Sequence, residues 1–393
     1  MTSDPRSGAH DPFKLVALRK IIKRAVVSSC KEETGLLMEK TAAQARMDPE
    51  RLERTIRFAN QLARKDCPLP LLRRGDGGTQ YSDLTESVEY LLLESHRRRK
   101  LILPELRAFN NQSIGVFSDY SGEGRGRYAV YSVLVCGFNM RTSFEQHARE
   151  ARARVGLGDK EIAYKDLRMG QMRRALPDFL AAADELPGFL CTVAVDKRIR
   201  SVFGSEKDTP EKLVAVLEEA GLGRRKPAVA EKLLRVVHLA AYLTALLGEE
   251  GQKVFWMTDH DEICPTSEEH RKLLEIFARV LPLYQKQGAQ FGQMGGAVPF
   301  PARSVEMNDL LSLADLAAGA ICDYLSKRDS TQPDDIRVKA GVDSVMLWLA
   351  RAGIGLKKFC CLLRKREDQV IERATVEFTP ISSQTGIFIP IYD

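Results

Sequence analysis

The chain has 393 residues, too many for one ordinary core, so two domains are expected. Apolar residues make up 44% and charged residues 28%, a globular balance, and there is no run of about 18 apolar residues, so no membrane-spanning helix is expected. The net charge is +6, and residues 1–110 hold 21 Lys and Arg against 15 Asp and Glu, so the whole surplus lies in that region.

The opening stretch "MTSDPRSGAHDPFK" lacks the apolar segment of a secretory signal. Residues 1–110 read as a basic helical region, suited to nucleic acid or a protein partner, or as a set of solvated helix faces. "DPFKLVALRKIIKRAVVSSC" spaces apolar residues at helical intervals with bases between them. "TAAQARMDPERLERTIRFANQLARK" holds two short helical patterns split at Asp48-Pro49. A helix-turn-helix over Thr41–Ala59 would present Arg51, Arg54 and Arg57 to a groove, but its turn lacks the usual small residue, so a plain helical bundle is the simpler reading. "RRGDGGTQ" is a loop, and "YSDLTESVEYLLLESHRRRKLILPELRAF" is a third helix. Its cluster Arg97, Arg98, Arg99 and Lys100 is a candidate nucleic-acid contact.

Residues 111–393 read as an α/β domain, a mixed sheet flanked by helices. "SIGVFSDYS" and "RYAVYSVLVCGFNM" form a hairpin across a Gly-rich turn. A basic amphipathic helix, "TSFEQHAREARARVG", follows, and "EIAYKDL" leads into another. "GFLCTVAVDK" is a third strand, and helices are expected near 210–221 and 228–248. "KVFWMTD" is a fourth strand, then a helix near 266–284, a short strand-like "AQFGQM" and the helix "MNDLLSLADLAAGAICDYLSK". A helix near 340–352 and a closing strand, "ERATVEFTPI", complete the pattern. The eight cysteines form no C-x-x-C pair and several lie in apolar runs, which points to free thiols, a reducing cytoplasm and no zinc site.

Four acids stand where chemistry is possible. Asp119 and Asp259 end apolar strands, Glu161 opens "EIAYKDL", and Asp315 interrupts an otherwise apolar helix. The carboxyl ends of parallel strands border the ligand crevice of an open α/β sheet. An aspartate in an apolar helix is costly unless it bonds a neighbouring backbone or Arg, or holds a metal. Carboxylates gathered in one crevice repel, and divalent cations neutralise them. Mg2+ or Mn2+ held this way activates water for phosphodiester cleavage without histidine, of which the chain has six and no H-E-x-x-H pair.

Asp119-Tyr120-Ser121-Gly122 resembles the "D-E-S-G" opening of the domain-of-unknown-function-3800 family, and "EIAYKDL", "TVAVDK" and "VFWMTD" resemble its later segments. "SLADLAAGAI", which resembles its late "ADL-x-AG" helix, is the most specific match. The resemblance covers about residues 112–328. It implies a ribonuclease H-like fold, three antiparallel strands first and parallel ones after, and a metal-dependent nuclease. It also implies Asp119, Glu161, Asp259 and Asp315 as catalytic metal ligands, with Asp261 replacing or assisting Asp259. Lys165 or Arg168 would hold the scissile phosphate. Asp196 reads as structural. Proteins of this family can travel with mobile elements or phage defence. Position 120 departs from the pattern, with Tyr where the family has Glu. The competing reading is a non-catalytic nucleic-acid-binding or scaffold protein that keeps the fold. A phosphoryl-transfer enzyme is disfavoured, because "SGEGRGR" lacks the Lys-Ser/Thr ending of a phosphate loop.

Overall fold

The computed structural model describes residues 49–64, 72, 81–124, 126–286, 289–297, 304–329, 338–351, 353–380 and 388–391. The helix expected from "DPFKLV", the first half of the helix-turn-helix candidate and the loop "RRGDGGTQ" lie outside the described residues.

The protein is mixed α/β. Strands β1 (Ser113–Ser121) and β2 (Tyr128–Gly137) form the expected hairpin, and β3 (Gly188–Asp196) runs antiparallel to β2. Strand β4 (Lys253–Thr258) runs parallel to β1, and β5 (Met294–Ala297) parallel to β4. On the other side β6 (Leu356–Lys365) lies parallel to β3, and β7 (Ile371–Thr375) closes the edge antiparallel to β6. The order is β5-β4-β1-β2-β3-β6-β7. A separate ribbon pairs β8 (Glu377–Pro380) with β9 (Phe388–Ile391).

The middle strands are apolar on both faces because helices cover both. All nine residues of β3 are buried, the continuous pattern expected of a doubly covered strand. On one face lie α2 (Asp83–Arg97), α5 (Thr209–Glu219), α6 (Pro227–Leu247) and α7 (Ser267–Val280), and α1 (Pro49–Leu62) precedes α2 in the chain. On the other lie α3 (Thr142–Val155), α4 (Gly170–Ala183), α8 (Val305–Arg328) and α9 (Val342–Ala350). Leu84, Val88, Leu91 and Leu92 of α2 join the sheet's own core, so this part of the basic region packs directly on the sheet.

Four expectations change. The short strand begins at Met294, the last residue of "AQFGQM", and runs through Gly295, Gly296 and Ala297. The closing strand is interrupted at Val376. Helix α2 stops at Arg97, and Arg99 adopts a left-handed backbone with φ of 56°, so "LILPELRAF" leaves the helix. Strand β6 has no sequence-level counterpart. Its Lys358 side chain is buried against Asp184 at 2.6 Å. Among the described residues six cysteines are free thiols, five of them buried. Among the described residues no helix is long and apolar enough to cross a membrane.

Candidate functional site

Side chains alternate across a strand, so β1 sends Ser118 and Tyr120 to the α6 face and Phe117 and Asp119 to the α8 face. Asp119 is only 6% exposed there. Helix α8 packs across β1 and β2 and carries Asp315, half-buried among leucines and alanines. Asp259 follows the last residue of β4. Its backbone N–H donates to the Ser118 carbonyl at 3.0 Å, which holds it beside the end of β1.

Three carboxyls from two parallel strand ends and one helix therefore sense one another. Burial lifts Asp119 well above the usual carboxylate range, and the charges of Asp315 and Asp259 lift it further. Burial pushes Asp315 up to about 7, with added pressure from Glu161 and Asp259. Asp259 is raised by burial and by Asp261. Lys165 opposes this, easing both Asp259 and Asp315. Glu161 and Lys165 are exposed, on the segment that faces α8. Arg168, also exposed, stands near the Tyr164 ring.

The two most distinctive sequence segments meet at Tyr164. Its backbone N–H donates to Asp315 Oδ2 at 2.6 Å. One turn later on α8, a Cβ at Gly319 would lie 2.2 Å from the Tyr164 ring, so the ring sits where only glycine leaves room. Asp315 thus fulfils one structural expectation, a bond to a neighbouring backbone, and its charge also bears on Asp119. The Ser121-Gly122 turn has a similar steric reason. Gly122 has φ of +95°, and a Cβ there would meet the Tyr128 carbonyl at 2.2 Å.

Asp261 is placed apart from these three in its bonding. Its Oδ1 accepts from the Ile263 N–H at 2.9 Å, and its Oδ2 is paired with Lys232 of α6. Lys232 also pairs with Glu123 and lies 3.5 Å from Glu262. Its ammonium sits 4.9 Å from the Tyr120 ring centre, and the Tyr120 hydroxyl is bonded to Thr258. The Tyr120 and Glu123 side chains therefore belong to the α6 side, while the Tyr120 backbone N–H donates to Asp119 Oδ1 at 2.5 Å. Sequence reasoning missed Lys232. The signal was present in "AEKLLRVVHLAAYLTALL", where Glu231, Lys232 and Arg235 interrupt an apolar helix and are all buried. Asp196 is structural, as expected. Arg198 and Arg127 hold it down at about 2 against the burial that would raise it.

Arg97, Arg98, Arg99 and Lys100 lie elsewhere. Arg98 and Lys100 line a hollow with Arg373 and Thr375 of β7, the far edge of the sheet. Four strand steps separate β7 from β1, roughly 19 Å at about 4.8 Å per step. The acids gather by charge and fold, but no three His, Cys, Asp or Glu side chains among the described residues form a group that could hold a metal ion as placed. No family model, curated protein or solved structure matches the chain.

Proposed function

We propose that the chain is a metal-dependent nuclease that cleaves phosphodiester bonds at the Asp119–Asp259–Asp315 crevice. The observation that carries this reading is the mutual elevation of three carboxyls on two parallel strand ends and a facing helix. Such a set is unstable when fully ionised unless a cation enters it. The order β3-β2-β1-β4-β5, with β2 alone running against the rest, supports a ribonuclease H-like arrangement of this part of the sheet.

Asp119, Asp259 and Asp315 would hold Mg2+ or Mn2+, with Glu161 reaching in from its exposed segment. Oxygen donors of this kind suit either ion. When bound, the metal supplies an activated water and charge stabilisation at phosphorus. The chain's own contribution is positional. Asp119 is fixed by β1, Asp259 by its N–H to Ser118, and Asp315 by the Tyr164 N–H. Lys165, exposed beside Asp259 and Asp315, brings a positive charge suited to a substrate phosphate. Asp261, tied to Lys232, would assist Asp259 through its charge.

One observation favours a second reading. The absence of a ready-made three-donor group among the described residues suits a non-catalytic nucleic-acid-binding or scaffold protein. Labelled single- and double-stranded DNA and RNA, incubated with Mg2+ or Mn2+, separate the two. Cleavage lost in Asp119→Asn and Asp315→Asn with the fold intact supports the nuclease. Salt-sensitive binding without cleavage of any substrate supports the scaffold.

A further inference from the structure

The segment that carries Lys165 has a second neighbour besides α8. Lys339, just ahead of α9, places its ammonium 3.3 Å from the Tyr164 hydroxyl and 5.1 Å from the centre of that ring. Gly341 follows with φ of +90°, and a Cβ there would lie 3.3 Å from the Leu167 Cβ and carbonyl and 3.6 Å from Arg173 Cγ. The chain entering α9 is therefore closed down on the end of this segment and on α4. A hollow of about 490 Å³ lies at that junction, with Arg173, Lys339, Gly341 and Asp343 in its lining. Tyr164 joins the hollow to the acid crevice, because its backbone holds Asp315 while its hydroxyl meets Lys339.

Cations outnumber acids around this junction. Lys165, Arg168 and Arg173 are exposed and make no ion pair among the described residues. Lys339 shares Asp323 only at 3.9 Å, and Lys327 holds that acid more closely, at 3.2 Å. Asp166 pairs with Lys160 at 3.5 Å, and Asp343 accepts the Gly341 N–H at 3.1 Å. The Tyr164 hydroxyl accepts from Lys339, and its own proton meets no acceptor among the described residues. Burial lifts this phenol above its usual range, so it keeps that proton and stays a donor. Arg168 stands close enough for its charge to bear on the same group. A hydroxyl, an ammonium and two guanidiniums therefore converge with no anion to match them.

We propose that Tyr164, Arg168, Arg173 and Lys339 seat a backbone phosphate of a nucleic-acid strand, beside the phosphate that Lys165 meets at the acid crevice. The proposal rests on the nucleic-acid reading of the crevice but not on cleavage there. Guanidinium groups grip phosphate oxygens in pairs, and an ammonium adds a point charge. Contacts of this kind fix where a strand lies without reading its sequence. The seat is one tyrosine side chain away from Asp315, so it sets the register of the strand at the acids.

The test is anisotropy of a fluorescein-labelled mixed-sequence single-stranded oligonucleotide, in EDTA, over a range of salt, with melting curves to show that each variant keeps its fold. Each of Arg168→Gln, Arg173→Gln and Lys339→Gln should flatten the slope of log K against log salt by about 0.7. Tyr164→Phe keeps the ring against Gly319 and removes only a neutral donor. It should weaken binding about 2- to 10-fold and leave the slope as it was. Arg271→Gln, an exposed change on α7 across the sheet, should alter neither. Wild-type slopes in all three cation variants, or an equal flattening by Arg271→Gln, overturn the seat, and cleavage by the wild-type chain with Mg2+ would then leave the nuclease reading standing. Weakened binding in the variants without cleavage by the wild type under any metal supports the seat and sinks the nuclease reading. A wild-type chain that neither binds nor cleaves overturns both.

Discussion

The Tyr164 N–H donates to Asp315 Oδ2 over 2.6 Å, so the segment that carries Glu161 and Lys165 is pinned to the helix that carries the acid. The same tyrosine ring rests on Gly319. One residue thereby fixes both the charge and the spacing of the site.

Gly319→Ala is expected to break that arrangement. A Cβ 2.2 Å from the Tyr164 ring forces the ring and its backbone outward. Overpacking of this kind costs about 1–3 kcal/mol. Chemical denaturation reads the loss, and crystallography of the variant should show the Tyr164 N–H drawn away from Asp315.

Asp315 makes the metal-free protein sensitive to pH. Its folded carboxyl is raised to about 7, against about 3.9 when unfolded. The folded state therefore holds the proton more tightly than the unfolded chain, and stability falls as pH rises from about 4 through about 7. Asp315→Asn should reduce this decline, the raised Asp119 and Asp259 keeping the rest, and stabilise the metal-free protein at pH 8 by about 1–2 kcal/mol, after discounting for partial exposure. Denaturation midpoints at pH 5 and pH 8 test it, and an equal decline in the variant would contradict it.

Lys232 is expected to matter more than a surface lysine. It joins Glu123 after β1 to Asp261 after β4, and its side chain is 10% exposed. Lys232→Met leaves those acids facing each other without a partner. The expected cost is about 2–3 kcal/mol, below that of a fully buried pair because Glu123 is largely exposed. Lys232→Arg should recover part of it. Equal melting temperatures for wild type and Lys232→Met would rule the bridge out as a stabilising element.

Metal should stabilise the folded chain. A cation that binds only the folded state at 100 times its dissociation constant adds about 2.7 kcal/mol. Mn2+ should raise the melting temperature of the wild-type protein at pH 8 and do so less at pH 5.5, where Asp315, raised to about 7, keeps its proton. Asp119→Asn should show little shift at either pH.

The sequence made the sheet legible wherever apolar runs were broken by turns. The β1–β2 hairpin, β3, β4 and α8 all follow from patterning and punctuation, and the strand-end positions of Asp119 and Asp259 come with them. What stayed hidden depended on partners distant in the chain. Strand β6 hides behind Lys358, whose charge is neutralised by Asp184, 174 residues away. Lys232 drew no notice in its helix, because its partners Glu123 and Asp261 come from distant parts of the chain. The bases at 97–100 drew attention by composition, but charge along a chain does not say which edge of a sheet it will reach. They lie at β7 and not beside the acids.

The most direct measurement is anomalous diffraction from crystals grown with Mn2+ at pH 8. The account predicts a peak in the crevice between Asp119, Asp259 and Asp315, with carboxylate oxygens drawn to roughly 2.0–2.2 Å from it. A map with no peak there, and the three carboxyls still standing apart, would contradict it.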